Sequence, residues 1–349
     1  MTQTVLYSNN VDATLKSFIE GGNYNAVMVL VDSNTRQLAL PLLPCLSHTG
    51  IIEIAPGDDN KNLDTLSHVW SEMEQCGATR HSLLINLGGG MVTDMGGFAA
   101  ASFKRGIDFI NVPTTLLSAV DAAIGGKTGI NFNGLKNEVG AFAPAKAVIV
   151  STIFFSTLPE QEFKSGFAEM LKHAMLSNKQ QYLKLLNFDF KNINFNKFLE
   201  QLRTSIQIKQ NIVERDPTEQ GIRKTLNLGH TVGHAFESKA LSDDNTVPHG
   251  YAVAWGLVVE SVLSHIMLKF PSDDLYELAH FVKENYGTFH ITCDNYDQIL
   301  DLMRHDKKSH GGEINCTLLK ECGIPTINNT INEDDLKAAL DIYRDLMGI

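Results

Sequence analysis

The sequence predicts an α/β domain followed by an α domain: a parallel sheet covered by helices in the N-terminal half, then a mostly helical C-terminal half. Three observations predict it. The 349 residues exceed what one hydrophobic core usually supports, so two domains are expected. Up to about residue 150, short apolar runs alternate with helical patterns, the signature of a parallel sheet wrapped on both faces. After Pro159 long segments of 3.6-residue periodicity dominate. The expected domains are therefore 1–155 and 156–349.

Taken in order, AVMVLVDSN (26–34), SLLINLGGG (82–90), IDFINVPTT (107–115) and KAVIVST (146–152) read as buried strands, each ending in polar or small residues. NLDTLSHVWSEMEQCG (62–77) and TDMGGFAAASFK (93–104) read as helices between them. In such a sheet ligands sit at the carboxyl ends of the strands. Beyond the boundary, EQEFKSGFAEMLKHAMLS (160–177) and GYAVAWGLVVESVLSHIMLK (250–269) are helices, and the Asn-rich NFDFKNINFNKF (187–198) is a loop and helix start.

Composition narrows the function. A net charge of −11 disfavours nucleic acid, whose binding needs a basic face to displace counterions, so any anionic ligand must be gripped by locally clustered Lys and Arg. The five cysteines, Cys45, Cys76, Cys293, Cys316 and Cys322, are odd in number and lack CxxC spacing, which argues against a disulfide framework and a thiolate zinc site. No basic start followed by an apolar run opens the chain, and no stretch of eighteen apolar residues is apparent. A cytoplasmic protein without membrane or nucleic-acid partners is expected.

Two glycine-rich segments suggest phosphate contacts. LGGGMVTDMGG (87–97) follows a strand and opens a helix, so its amides suit a phosphate, although a triple glycine also serves as a tight turn. VDSN (31–34) places an Asp at a strand end, where a ribose hydroxyl could be held or a turn begun. VPTTLLSAVDAAIGGKTGINFNGLKN (112–137) reads as a glycine loop with Asp121, Lys127 and Lys136 among small and apolar residues.

In NLGHTVGHAFES, His230 and His234 lie one helical turn apart and share a face, half of a common zinc site. A third ligand could come from His249, at the head of an apolar helix, or from Glu169 in GFAEMLKH, and a His at a helix head is also a frequent cap. Arg223, Asn227, His230 and His234 recur at intervals of four, three and four, so a continuous helix would make them one polar stripe suited to an anionic substrate beside a metal.

Taken together, GGGMVTD, FKRGIDFINVPTTLLSAVDAAIGGKTGIN, LKNEVGAF, LPEQEFKSGFAEMLKH, NLGHTVGHAFE, PHGYAVAWG and HDKK, in this order across about residues 25–325, resemble the 3-dehydroquinate synthase family of sugar phosphate cyclases. The resemblance implies an N-terminal Rossmann-like NAD domain, a C-terminal helical metal-binding domain and an active site in the cleft between them. It implies metal ligands at Glu169, His230 and His249, holding Zn2+ or Co2+, and casts His234 as a proton-handling residue, with Glu219 and Lys172 also catalytic. The positions matching NAD contacts are Asp32, Ser33, Asn34, Asp58, Lys61, Gly89, Gly90, Met91, Asp94, Thr114, Thr115, Lys136, Phe154, Phe155, Ser156 and Thr157. Substrate positions match Asp121, Lys127, Asn137, Lys172, Lys209, Arg223, Asn227 and one of Lys307 and Lys308. Arg105 matches an arginine reaching the substrate phosphate from a neighbouring subunit, which implies a homodimer. The chain departs from the family in ERDPTEQGIR, where Glu219 is assigned by counting four back from Arg223 and Pro217 changes the loop that presents it.

The implied substrate is the anionic sugar phosphate 3-deoxy-D-arabino-heptulosonate 7-phosphate. Lys209 and Arg223 suit its carboxylate, while Lys127, Asn137, Asn227 and Arg105 suit its phosphate. The implied reaction runs through transient oxidation by NAD, phosphate elimination, reduction and intramolecular aldol closure to 3-dehydroquinate. Rival readings are a 2-deoxy-scyllo-inosose or valiolone-type synthase, whose substrate lacks the carboxylate, a glycerol-type dehydrogenase, and a catalytically dead NAD-binding module.

Overall fold

The computed structural model describes residues 3–304 and 313–349 and divides into two compact units. One comprises Met1–Pro159 and Asn194–Gln210, the other Glu160–Ile193 and Asn211–Ile349. The single boundary at 155/156 is thus replaced by a partition in which the chain returns to the first unit for one helical segment.

The first unit contains β1 (Thr4–Tyr7), α1 (Val11–Gly21), β2 (Val27–Asp32), α2 (Ser33–Leu38), β3 (Gly50–Ile54), α3 (Leu63–Gln75), β4 (Leu83–Gly88), α4 (Gly90–Ser102) and β5 (Asp108–Pro113). It continues through the hairpin of β6 (Lys127–Phe132) and β7 (Leu135–Phe142) to β8 (Ala147–Val150). Six strands form a sheet in the order β1-β8-β5-β4-β2-β3, every neighbouring pair parallel. The β-branched and aliphatic content explains the strands: Met28, Val29, Leu30 and Val31 of β2 are fully buried, as expected when helices cover both faces. Each such side chain contributes about 1.5–3 kcal/mol on burial.

The topology has one consequence for function. From β2 the chain steps outward to β3, then crosses back to β4 on the other side of β2. Beyond the carboxyl ends of strands that diverge in this way, a crevice opens that suits a nucleotide. Asp32 ends β2, and Gly88, followed by Gly89 and Gly90, ends β4.

The segment 112–137 is not one glycine loop. A short π-helical turn, Ser118–Ala122, is followed by the antiparallel β6–β7 hairpin, which turns at Asn133 and Gly134, both with positive φ. Lys127 therefore begins a strand, and Lys136 and Asn137 lie on its exposed partner.

The second unit holds α5 (Glu160–Ser177), α6 (Lys179–Leu186), the end of α7 (Phe195–Arg215), α8 (His230–Ser242), α9 (His249–Leu268), α10 (Ser272–Tyr286) and α11 (Tyr296–Arg304). It closes with the antiparallel hairpin of β9 (Ile314–Glu321) and β10 (Ile324–Ile331) and with α12 (Glu333–Met347). Helix α9 is apolar on all sides because it is a core helix, packed against α5, α8, α10, α12 and β9. Its length and mean hydropathy would suit a membrane span, but Glu260, Ser261, Ser264 and His265 interrupt the apolar run and most of the helix is buried within its own unit.

Candidate active site

In the first unit, the carboxyl end of β2 is a helix cap. Asp32 Oδ1 accepts the Thr35 N–H at 2.8 Å, Thr35 Oγ1 accepts the Asp32 N–H at 3.0 Å, and α2 starts with Ser33 and Asn34. At the end of β4, Gly89 is the N-cap of α4, with Gly90 and Met91 in the first turn and Thr115 against Gly89. The Thr114 N–H donates to the Gly88 carbonyl at 3.0 Å, which sets β5 beside these glycines.

One ionic network joins several of the residues expected to bind NAD. Lys61, almost fully buried, donates to Asp94 at 2.5 Å and also bonds Asn137. Asn131 donates to the Asp58 carbonyl at 3.0 Å and accepts the Asn137 N–H at 2.9 Å, and Lys136 lies 3.7 Å from Asp58. Burial pushes the Asp94 carboxyl above its ordinary value, against the opposing charge of Lys61. Asn137, assigned by resemblance to substrate, sits in this network. Asp121 accepts from Lys209, through its carbonyl at 2.7 Å and through its carboxylate.

The run 154–157 divides. Phe154 and Phe155 are buried, with Phe155 set edge-on to Phe195 and Phe198, whereas Ser156 and Thr157 are exposed. The two rings are thus committed to the core, and only the hydroxyls and backbone remain accessible. Lys127 and Arg105 are exposed, and Arg105 takes a left-handed φ of 68° beside Lys104. Lys307 and Lys308 lie outside the described residues.

The second unit brings three expected metal ligands together from three helices. Glu169 comes from α5, His230 is the first residue of α8 and His249 the first of α9. Their ligand atoms all lie within 4.8 Å of one another. Glu169 Oε1 is 3.3 Å from His230 Nε2 and 3.6 Å from His249 Nε2, and Lys172, one turn along α5, pairs with Oε2.

The ring orientations follow from the other nitrogens. His230 Nδ1 faces the Leu228 carbonyl at 3.1 Å, an acceptor only, so Nδ1 carries the proton and Nε2 points at Glu169. His249 Nδ1 faces the Glu237 carboxylate at 3.2 Å, with the same result. A carboxylate or carbonyl behind a ligating imidazole fixes its tautomer and raises its basicity. Glu237 was missed in the sequence, although its place seven residues after His230 on α8 put it on the same face.

Burial alone would raise the Glu169 carboxyl, but Lys172, then His230 and His249, outweigh it and hold the group well below the usual carboxylate range. Neither oxygen of this buried carboxylate meets a partner in a hydrogen-bonding direction, although the cations lie close. Two imidazole nitrogens and a carboxylate oxygen are the donor set of a three-ligand catalytic metal site, and the unsatisfied oxygens fit a divalent ion there.

His234 lies beside these groups, its ring centroid 5.4 Å from His230 and 5.9 Å from His249, outside the cluster of close ligand atoms. The proposed stripe from Arg223 to His234 is corrected. Ile222–Asn227 is a 3-10 turn, and Gly229 at φ 78° breaks the chain before α8, so Arg223 and Asn227 lie on a different element from His230 and His234. Asp216 instead organises the approach: its carboxylate accepts the N–H groups of Gln220, Gly221 and Arg223 at 2.9, 2.7 and 3.0 Å. The buried Arg223 donates to the Pro217 carbonyl at 2.6 Å, and Asn227 donates to Glu219 at 3.4 Å.

This fold is that of the sugar phosphate cyclases. A 2-deoxy-scyllo-inosose synthase, solved with carbaglucose-6-phosphate, NAD+ and Co2+, superposes with a TM-score of 0.83 at 23% identity, over 96% of this chain and 95% of the other. The 2-epi-5-epi-valiolone synthase of Streptomyces hygroscopicus, solved with NAD+ and Zn2+, gives 0.85 at 22% identity over 99% and 97%. In sequence, the chain matches the profile of the 3-dehydroquinate synthase N-terminal region over residues 51–165 and that of the C-terminal region over 166–309. It is 44% identical to the 3-dehydroquinate synthase of Parabacteroides distasonis over 99% of both chains. The chain belongs to the 3-dehydroquinate synthase family.

Proposed function

We propose that the chain is a 3-dehydroquinate synthase, a phosphate-eliminating carbon–oxygen lyase of the shikimate pathway. It takes 3-deoxy-D-arabino-heptulosonate 7-phosphate to 3-dehydroquinate and phosphate, and works as a cytoplasmic homodimer with NAD and Zn2+ or Co2+. The observation that carries this reading is the convergence of Glu169, His230 and His249 from three helices in a chain of this family. Two proteins of the same fold hold NAD+ with a divalent ion, which supports the cofactor pair.

Bound NAD supplies a reversible hydride acceptor and the bound ion a Lewis acid at the substrate hydroxyl. Glu169, His230 and His249 hold the ion. Asp32, Ser33, Asn34, Gly89, Gly90, Met91, Thr114 and Thr115, at the strand ends where the sheet order reverses, hold the dinucleotide with Asp58, Lys61, Asp94, Lys136, Ser156 and Thr157. His234, on the face of α8 that carries His230, moves the hydroxyl proton, and Lys172 balances Glu169 and donates to substrate oxygen. In the second unit Arg223 grips the carboxylate and Asn227, steadied by Glu219, the phosphate. In the first, Asp121 orients Lys209 for the carboxylate, while Lys127 and Asn137 serve the phosphate. Arg105 serves the phosphate of the second subunit's substrate.

Substrate choice tests the reading. Phosphate release is expected from the carboxylate-bearing heptulosonate phosphate, and Arg223→Ala should raise its KM. Higher kcat/KM with a sugar phosphate lacking the carboxylate would assign the chain to another cyclase activity.

A further inference from the structure

We propose that Glu260 is a positioning residue for the metal centre, acting on His230 through the peptide between Leu228 and Gly229. Helix α8 begins after a glycine, so no side chain at its N-cap serves the free N–H groups of its first turn. A carboxylate from α9 does so instead. Glu260 Oε2 accepts the Gly229 N–H at 2.6 Å and Oε1 accepts the Val232 N–H at 3.2 Å, so the two bonds bracket His230 along the chain.

The Gly229 N–H and the Leu228 carbonyl belong to one planar peptide group. That carbonyl accepts from His230 Nδ1 at 3.1 Å. Glu260 therefore grips one side of the peptide whose other side orients the imidazole, and hydrogen bonds at both ends of a peptide polarise one another. The result parallels the direct Glu237 contact behind His249: each imidazole has a carboxylate behind it, one in contact and one across a peptide.

Burial and packing say why a carboxylate is kept there. Glu260 is fully buried between Val259 and Ser261 in the core helix of the unit, where a carboxylate is costly unless backbone N–H groups and the positive end of a helix offset it. The two backbones also meet tightly at this point, since a Cβ on Gly256 would strike the Gly229 carbonyl oxygen. His249, about three turns before Glu260 on the same helix, shares this frame. The clamp thus sets His230 against His249.

This inference rests on the reading of Glu169, His230 and His249 as metal ligands, and its test separates the two. Zn2+ and Co2+ dissociation constants of the full-length, metal-stripped protein are measured by chelator competition, with the visible spectrum of the Co2+ form. Glu260→Ala should weaken binding about 10- to 100-fold. The near-isosteric Glu260→Gln, which keeps one acceptor and sets an NH2 against the other N–H, should weaken it less and shift the Co2+ bands. Val262→Ala, a core truncation on α9, should lower thermal stability while leaving the metal constant and spectrum at wild-type values. The proposal is overturned if Glu260→Gln retains wild-type affinity and spectrum, or if Val262→Ala loses as much affinity as Glu260→Ala. His230→Ala checks the underlying site: wild-type affinity there would sink the metal reading, whereas loss there with unchanged Glu260→Gln would sink only the role of Glu260.

Discussion

His230 and His234 sit one turn apart on α8, yet their surroundings give them different work. His230 has its Nδ1 committed to the Leu228 carbonyl and its Nε2 aimed at Glu169, while His234 stands outside the close cluster. His230→Ala and His249→Ala should each lose bound metal and His234→Ala should keep it while losing turnover; metal analysis finding His234→Ala empty would reverse the assignment. The spacing in NLGHTVGH was legible and placed both imidazoles near one site. It could not divide their roles, because the groups that do so, the Leu228 carbonyl and Glu169, are set in place by helix packing.

The same residues imply a pH dependence for the metal-free protein. Burial pulls the His249 imidazolium down, but the adjoining carboxylates of Glu169 and Glu237 outweigh it and push its pKa up to about 10. Ligation requires the neutral ring, so near neutrality the ion must displace a proton from His249, whereas Glu169, held low, has none to lose. Apparent metal affinity should therefore rise about tenfold per pH unit through neutrality and level off as pH passes the raised pKa. Calorimetry in buffers of different ionisation enthalpy counts the released proton; a pH-independent affinity would contradict this account.

At the scale of elements, Asp32 carries two candidate roles at the end of β2. It caps α2, and it is proposed to meet NAD. Asp32→Ala should cost about 1 kcal/mol in denaturant unfolding through the lost cap, whereas Asn caps as well. If the carboxylate also binds the dinucleotide, Asp32→Asn should raise KM for NAD at unchanged stability. A wild-type KM in Asp32→Asn would leave the cap as its only task. Close packing of α8 on α9 gives a second prediction: Gly256→Ala should lower stability by about 1–3 kcal/mol, read from its Tm, because the new Cβ meets backbone rather than a side chain that can swing away.

Long elements were legible because their patterns are strong: α5, α9 and the four buried strands fall where the sequence places them. Short ones were not. β1, with the four residues TVLY, and β3, reached through two 3-10 turns, take their structure from pairing with buried neighbours rather than from a pattern of their own. The β6–β7 hairpin was hidden by its glycines, and the stripe from Arg223 to His234 failed because Gly229 ends one turn and starts another helix.

For the whole molecule, the alternation of strands and helices was enough to predict a parallel sheet, and with it that ligands belong at the carboxyl ends of its strands. The partition was harder. α7 is locally amphipathic, and nothing in its periodicity says that its residues through Gln210 join the first unit while the rest join the second. The net charge of −11 also leaves the grip on an anionic substrate to a few local cations, so their removal should act on KM more than on folding.

In the proposed reaction NAD is used without being consumed while phosphate is eliminated and a ring closes. The direct measurement supplies heptulosonate phosphate, NAD and a divalent ion, and follows inorganic phosphate together with absorbance at the NADH band. One phosphate should be released per dehydroquinate formed, with no net NADH; NADH accumulating in proportion to substrate consumed, without phosphate, would contradict the proposed activity.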